Sequence, residues 1–102
     1  MASNRAWRGE ATAISVLSLG EIQMDAGKFA EANAFYQRVF VAYQKYPGVQ
    51  AKAYLRSGEA FEKLGKMTEA VNTYTEMLHN PNLAAFPEAG DAQKRLNQLA
   101  QK

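Results

Sequence analysis

Cysteine is absent from the 102 residues of this chain, and histidine occurs only once, at His79. The absence of cysteine excludes disulfide frameworks, thiolate metal sites and cysteine nucleophiles. A single histidine also lacks a second histidine or cysteine with which to form a zinc site. We expect His79 to lie at a helix C-terminus, where the helix dipole favours a cationic imidazole, and not to act in catalysis.

The chain also has little excess of charge of either sign. Twelve basic and ten acidic residues leave a net charge of +2, and no run of basic residues is longer than two, as in Lys94-Arg95. The sequence therefore lacks the basic footprint of a nucleic-acid-binding protein and of a protein drawn to anionic membranes. No uncharged run, such as Ala11 to Gly20, approaches the ~20 residues that a membrane-spanning helix needs.

The N-terminal residues lack the basic start, apolar centre and small-residue cleavage site of a signal peptide. The sequence therefore leaves both the cytoplasm and the bacterial periplasm open as the compartment. Composition is that of one globular domain, and we expect residues 1–102 to form it.

Alternation typical of strands is missing, whereas apolar residues recur at spacings of three and four, which predicts an all-α protein. Gly27 and Gly65 are expected to end helices, and Pro47-Gly48 to end another. The sequence of Asn80-Pro81-Asn82 predicts a turn. Five helices follow from these signals, over about 4 or 9–26, 28–46, 49–64, 66–79 and 87–101.

The same spacings predict which residues face inward. On helix 1 we expect one apolar stripe, which a second stripe continues with a rotation around the helix axis. Helices 2 to 5 each have one main apolar stripe. The predicted inward residues are Trp7, Ala11, Ile14 and Leu17 with Val16, Leu19 and Gln23; Phe29, Ala32, Tyr36, Val39, Tyr43 and Tyr46; Tyr54, Gly58 and Phe61; Met67, Ala70, Tyr74 and Met77; and Ala92, Leu96 and Leu99.

Part of the chain occurs twice, 38 residues apart. Between residues 17–36 and 55–74, eight of twenty aligned positions are identical, far more than chance gives. The repeated residues are Leu17/Leu55, Gly20/Gly58, Glu21/Glu59, Gly27/Gly65, Lys28/Lys66, Glu31/Glu69, Ala32/Ala70 and Tyr36/Tyr74. A period of this length is typical of stacked helical hairpins.

Each class of repeated residue has a physical interpretation. Glycine is unfavourable within a helix, so Gly20 and Gly58 predict the close approach of a second backbone. Gly27 and Gly65 predict a chain reversal at positive φ. We expect Tyr36 and its copy Tyr74 to lie as large wedges between neighbouring units.

This constellation resembles the tetratricopeptide repeat family over residues 11–80. The resemblance implies a right-handed α-α superhelix of two stacked hairpins, with repeat 1 at about 11–47, repeat 2 at about 49–81 and a capping helix at about 87–101. The period is 38 residues and not the usual 34. We expect the four extra residues, about one turn, to lengthen helix 2 over Tyr43 to Pro47, which is similar to bacterial members of the family.

The resemblance also implies a non-catalytic scaffold or adaptor that binds a protein or peptide in a concave groove, without a cofactor or metal. The groove would be lined by the outward residues of helices 1 and 3: Leu17, Glu21, Met24, Asp25, Lys52, Leu55, Arg56, Glu59 and Lys63. In repeats that clamp a terminal carboxylate, Lys and Asn occupy the positions of Leu17, Glu21 and Arg56. Because Glu21 would repel a carboxylate, that binding mode is not expected here.

Two other classes of function remain open at this point. A stack of only two units leaves its ends exposed, so the chain could self-associate as a homodimer or be a fragment of a longer array. Binding of single-stranded RNA through helical repeats would need a basic groove, which the composition does not favour.

Overall fold

The computed structural model of the chain describes residues 2–100, with side chains from Gly9 onward. Over these residues the structure contains helices and no strands, so the predicted all-α fold is confirmed. The helices are α1 (Ala2–Asp25), α2 (Phe29–Ala42), α3 (Pro47–Lys63), α4 (Met67–Leu78) and α5 (Pro87–Ala100).

The prediction of a long second helix is wrong. Helix α2 ends at Ala42, and residues 43–46 form the connection to α3. Pro47 does not end α2 but occupies the start of α3, where a residue without an N–H is well suited. Proline also disfavours a helical residue before it, and Tyr46 is accordingly non-helical, with φ −120° and ψ 78°. The four extra residues therefore lie in a loop, which removes the structural basis for the likeness to bacterial members.

The two hairpin turns follow the prediction for their glycines. Gly27 has a φ of +78° and Gly65 a φ of +76°. At the first turn, the N–H of Lys28 donates to the carbonyl of Gln23 at 2.9 Å and that of Gly27 to Met24 at 3.0 Å. This pair of bonds is a Schellman motif, which satisfies carbonyls at the end of α1. The second turn repeats it.

The helices pack in two layers. In one layer α3 lies between α1 and α5 and contacts both. In the other layer α2 packs on α1 and α3, and α4 packs on α3 and α5. The molecule is 17 Å thick, which fits two layers of helices. The core forms two clusters, one around Tyr36 and Val39 and the other around Tyr74, Met77 and Leu83. The first cluster includes Ala53 of α3 and so joins the two hairpins.

Gly20 and Gly58 admit an aromatic ring and not a second backbone, so that prediction is wrong. A Cβ built on Gly20 would lie 2.6 Å from Cε1 of Tyr36, and one on Gly58 would lie 2.2 Å from Cε1 of Tyr74. Both tyrosines are fully buried. Each ring thus fills a notch on the first helix of its own hairpin. Tyr36 also shares a core cluster with Ala53 of the next hairpin.

The predicted inward faces hold for most of α2 to α5 and fail for much of α1. Ala11, Ile14 and Leu19 are exposed, and the buried stripe of α1 consists of Ala13, Val16, Leu17 and Gly20. Met67, predicted to face inward on α4, is also exposed. Trp7 lies outside the side chains that the structure describes. Among the described residues, these exposed apolar side chains of α1 lie at one end of the stack.

Candidate interaction groove

A groove of about 710 Å³ crosses the layer formed by α1, α3 and α5 near the hairpin turns, where α1 and α3 end and α2 and α4 begin. Its floor and walls combine ionic side chains with methionine and phenylalanine. The lining residues are Met24, Asp25, Phe29, Arg56, Glu59, Glu62, Lys63, Met67 and Arg95. All three helices of the layer contribute, so the groove depends on the stacking of the hairpins.

Arg56 joins α1 to α3 at the edge of this groove. Its Nη2 lies 2.8 Å from Oε2 of Glu21 and its Nε lies 3.0 Å from Oε1 of the same carboxylate. Glu21 also accepts a hydrogen bond of 2.5 Å from the hydroxyl of Tyr36, and Nη1 of Arg56 donates to Glu59 at 2.8 Å. A planar guanidinium that donates two bonds to one carboxylate fixes both side chains, so this network sets the spacing of α1 and α3.

A second network of the same kind joins α3 to α5. The hydroxyl of Tyr74 donates to Oε2 of Glu62 at 2.5 Å, and Arg95 donates to both oxygens of that carboxylate, with Nε to Oε2 at 3.1 Å. Each network therefore contains a buried tyrosine, a glutamate and an arginine from the next helix of the layer. The fold thus uses one device twice to join successive helices.

The pKa values of these groups move away from neutrality. Burial raises the pKa of Tyr36, and the hydrogen bond to Glu21 raises it further. Burial opposes ionisation of Glu21, but the bonds from Arg56 and Tyr36 outweigh it and lower the pKa of the carboxyl group. The hydrogen bond to Glu21 raises the pKa of Arg56. General acid–base chemistry needs a pKa near the working pH, so this network is suited to holding fixed charges and not to proton transfer.

Five of the nine predicted groove residues line the groove: Met24, Asp25, Arg56, Glu59 and Lys63. Glu21 lies beside it, with its side chain about a third exposed and paired with Arg56. Lys52 is exposed and lines a separate depression near the start of α3.

Leu17 and Leu55 do not face outward, and this part of the prediction is wrong. Each is only 9% exposed and belongs to a core cluster. Their shared position is repeated because the core needs an aliphatic residue there, and repetition alone does not distinguish core from surface. Leu17 does reach the edge of the depression near Lys52.

Four groove residues were not predicted as such: Phe29, Glu62, Met67 and Arg95. Glu62 and Arg95 form the second network, and Met67 lies on the groove wall. Glu62 does not align with Glu21 under the 38-residue repeat, and Arg95 lies outside the repeated segment. The sequence did contain one signal. An arginine lies eight or nine residues after the first residue of both α3 and α5, at Arg56 and Arg95.

The second hairpin matches a known family. A family model described as the tetratricopeptide repeat matches residues 52–82. The chain carries a tetratricopeptide repeat. The match runs from α3 through α4 to the turn after it, so the predicted family is confirmed for the second hairpin. Comparisons with curated proteins and with solved structures gave no match.

Tetratricopeptide repeats generally mediate protein–protein interactions, and members of the family are typically not catalysts. Protein is therefore the class of partner that the family indicates. None of the helices over residues 2–100 is both long enough and apolar enough to cross a membrane. Within the described residues, no group of histidine, aspartate and glutamate side chains is arranged to hold a metal ion.

Proposed function

We propose that this tetratricopeptide repeat chain is a non-catalytic scaffold that binds a segment of another protein in the groove along α1, α3 and α5. The observation that carries the proposal is the groove itself, which crosses three helices that two ionic networks hold in fixed positions. A preorganised site loses little conformational entropy when a partner binds.

The groove chemistry supports a partner with apolar anchors. Met24, Phe29 and Met67 supply apolar surface to the lining, and methionine adapts to partners of different shape. Asp25 and Lys63 are exposed charges at the lining. A helix or an extended peptide that has one or two large apolar side chains flanked by charges of both signs fits this surface.

The ion pairs that the two arginines form argue against two other kinds of ligand. Arg56 pairs with Glu21 and Glu59, and Arg95 pairs with Glu62. These cations are already compensated, so a terminal carboxylate or a chain of phosphates would have to displace protein carboxylates. A carboxylate clamp and single-stranded RNA binding are therefore both disfavoured, because each needs cations that are free to meet the ligand.

The proposal can be tested with peptides selected from a random display library against the wild-type chain. Titration of a selected peptide into ¹⁵N-labelled protein is expected to shift the amide resonances of groove residues such as Met24, Asp25, Lys63 and Met67. Lys63→Glu is expected to weaken binding by about tenfold, because it reverses an exposed charge at a groove rim. Lys94→Glu is the matched control, since Lys94 is exposed on α5 and does not line the groove.

Equal affinities for the wild type, Lys63→Glu and Lys94→Glu would count against the groove. Resonance shifts confined to another surface would also overturn the proposal. Arg56 and Leu55 are unsuitable for this test, because the former holds α1 to α3 and the latter lies in the core. Their substitution would change stability together with binding.

Self-association is a second candidate function, and one observation favours it. The outward side of α1 carries Ile14, Leu19 and Ile22, which are 48%, 45% and 60% exposed. Exposed apolar residues that cluster on one surface mark interaction sites more often than scattered ones do. Membership of a longer repeat array is the alternative use of the same surface.

A further inference from the structure

Asp25 and Lys63 are the last residues of α1 and α3, and they carry opposite charges at the same position of the 38-residue repeat. Both side chains are exposed, and both line the groove. The glycine two positions after each of them, and the lysine that follows it, are identical in the two hairpins. The repeat therefore keeps the turn and reverses the charge that lies beside it in the groove.

An apolar side chain accompanies each of these charges. Phe29 and Met67 begin α2 and α4, share one position of the repeat and also line the groove. Phe29 is half-buried and Met67 is exposed, so both have surface that a partner can contact. Packed helices lie about 8–10 Å apart. The groove thus presents two pairs, Asp25 with Phe29 and Lys63 with Met67, separated by about that distance.

Neighbouring charges do not neutralise the difference between the two pairs. Asp25 and Lys63 form no ion pair with any other residue that the structure describes. Lys28 and Lys66 are exposed in the two turns and are copies of each other in the repeat. They add the same charge beside both pairs, so the opposition between Asp25 and Lys63 remains.

The two ionic networks increase the contrast. On the α1 side of the groove, Arg56 is shared by Glu21 and Glu59, which leaves one negative charge uncompensated. On the α5 side, Arg95 pairs with a single carboxylate, that of Glu62. The α1 side of the groove lining is therefore net negative, and the α5 side, together with the end of α3, is net positive.

We propose that the segment bound in the groove carries two large apolar side chains about 10 Å apart, with a basic residue beside the one at Phe29 and an acidic residue beside the one at Met67. This inference rests on the proposed function and adds the order of charge in the partner. In a polyproline II segment, residues i and i+3 share one face and lie about 9 Å apart, so a short extended segment reaches both pairs. A segment with charges of one sign would place a like charge against Asp25 or Lys63.

Peptides selected from a random display library against the wild-type chain test this order of charge. The selected sequences are expected to carry a basic residue beside one apolar residue and an acidic residue beside the other. Changing the basic residue of a selected peptide to glutamate, or its acidic residue to lysine, is expected to weaken binding about five- to tenfold. The reason is that attraction becomes repulsion at one of the two pairs. Fluorescence anisotropy of the labelled peptides measures the affinities.

Reversal of one protein charge at a time assigns each end of the peptide. Asp25→Lys is expected to restore the affinity of the peptide with two acidic residues, and Lys63→Glu that of the peptide with two basic residues. Lys94→Glu is the matched control, because Lys94 is exposed on α5 and does not line the groove. It is expected to leave the ranking of the three peptides unchanged. Circular dichroism of the three variants checks that the helices are intact.

The outcomes separate the order of charge from groove binding itself. Selected peptides that shift groove resonances but keep their affinity when their own charges are changed overturn the order of charge, while the proposed function stands. Restoration of binding by Lys94→Glu to the same extent as by Lys63→Glu also overturns it, because net charge alone would then explain the result. A selection that yields no groove-binding peptide overturns the proposed function, and this inference with it.

Discussion

Replacing Gly58 by alanine tests the central packing feature of the fold, the ring of Tyr74 against α3. A Cβ at position 58 would lie 2.2 Å from Cε1, 2.5 Å from Cζ and 2.7 Å from Cδ1 of that ring. Tyr74 is fully buried, and its hydroxyl is held by Glu62. The ring has no free space to enter, so either the ring or α3 must move.

The expected loss of stability follows from three contributions. Alanine in place of glycine favours the helix by about 1 kcal/mol. Overpacking a filled core costs about 1–3 kcal/mol. Displacing the tyrosine hydroxyl from a carboxylate costs a further ~1.5–3 kcal/mol. The sum predicts a destabilisation of about 1.5–5 kcal/mol, which lowers the Tm of a domain of this size by at least ~6 °C.

Urea denaturation followed by circular dichroism measures this change. Gly90→Ala is the matched control, because Gly90 is exposed on α5 and, among the described residues, nothing outside its own stretch of helix lies within 4 Å of a Cβ built there. We expect Gly90→Ala to raise the free energy of unfolding by about 0.5–1 kcal/mol, so the two substitutions have opposite signs. The reasoning is refuted if Gly58→Ala is as stable as the wild type.

A double-mutant cycle assigns the effect to the ring. In a Tyr74→Leu background the smaller side chain no longer occupies the notch, so Gly58→Ala is expected to lose most of its destabilisation. The coupling energy between the two positions is then about 2 kcal/mol. Additive effects of the two substitutions would show that the strain lies elsewhere.

Two further predictions concern polar contacts between the hairpins. The folded state lowers the pKa of Glu21 below 4.5, so its ionisation stabilises the fold above that pH and the contribution is lost as the pH falls through the folded pKa. The stability difference between the wild type and Glu21→Gln, measured by urea titration, is therefore expected to shrink between about pH 6 and pH 3; a gap independent of pH would argue against the Arg56 network. Ser57→Ala leaves the buried amide of Asn33 without its partner and is expected to cost about 1–3 kcal/mol, whereas Asn33→Leu with Ser57→Ala costs less. A double variant no more stable than Ser57→Ala would contradict this account.

Sequence reasoning predicted the helices because their signals are local. Gly27 and Gly65 end helices through a backbone conformation that they adopt freely, and the sequence therefore places these turns to within a residue. The end of α2 is different, because Tyr43 continues the apolar spacing of that helix. Pro47 can either follow a helix or begin one, and only the packing of the next hairpin favours the second arrangement.

The buried face of α1 was also difficult to predict, because it too depends on packing between helices and not on local signals. Apolar spacing predicts Ile14 and Leu19 as core residues, and in the described structure both are exposed. Apolar periodicity shows which face of a helix is suited to burial. It does not show whether another described helix packs against that face.

The two ionic networks show why repetition of residues is a poor guide to repetition of contacts. Glu59 is the copy of Glu21 in the sequence, yet it pairs with Arg56, and Glu62 takes the place of Glu21 against Tyr74 and Arg95. Glu59 and Glu62 lie three residues apart on α3, which is about one helical turn, so both reach the same side of the helix. In the second network the glutamate lies one helical turn further along α3, but it still lies between a buried tyrosine hydroxyl and a guanidinium. The two hairpins therefore share the contact between helices and not the aligned residue, so an alignment of the repeats cannot detect it.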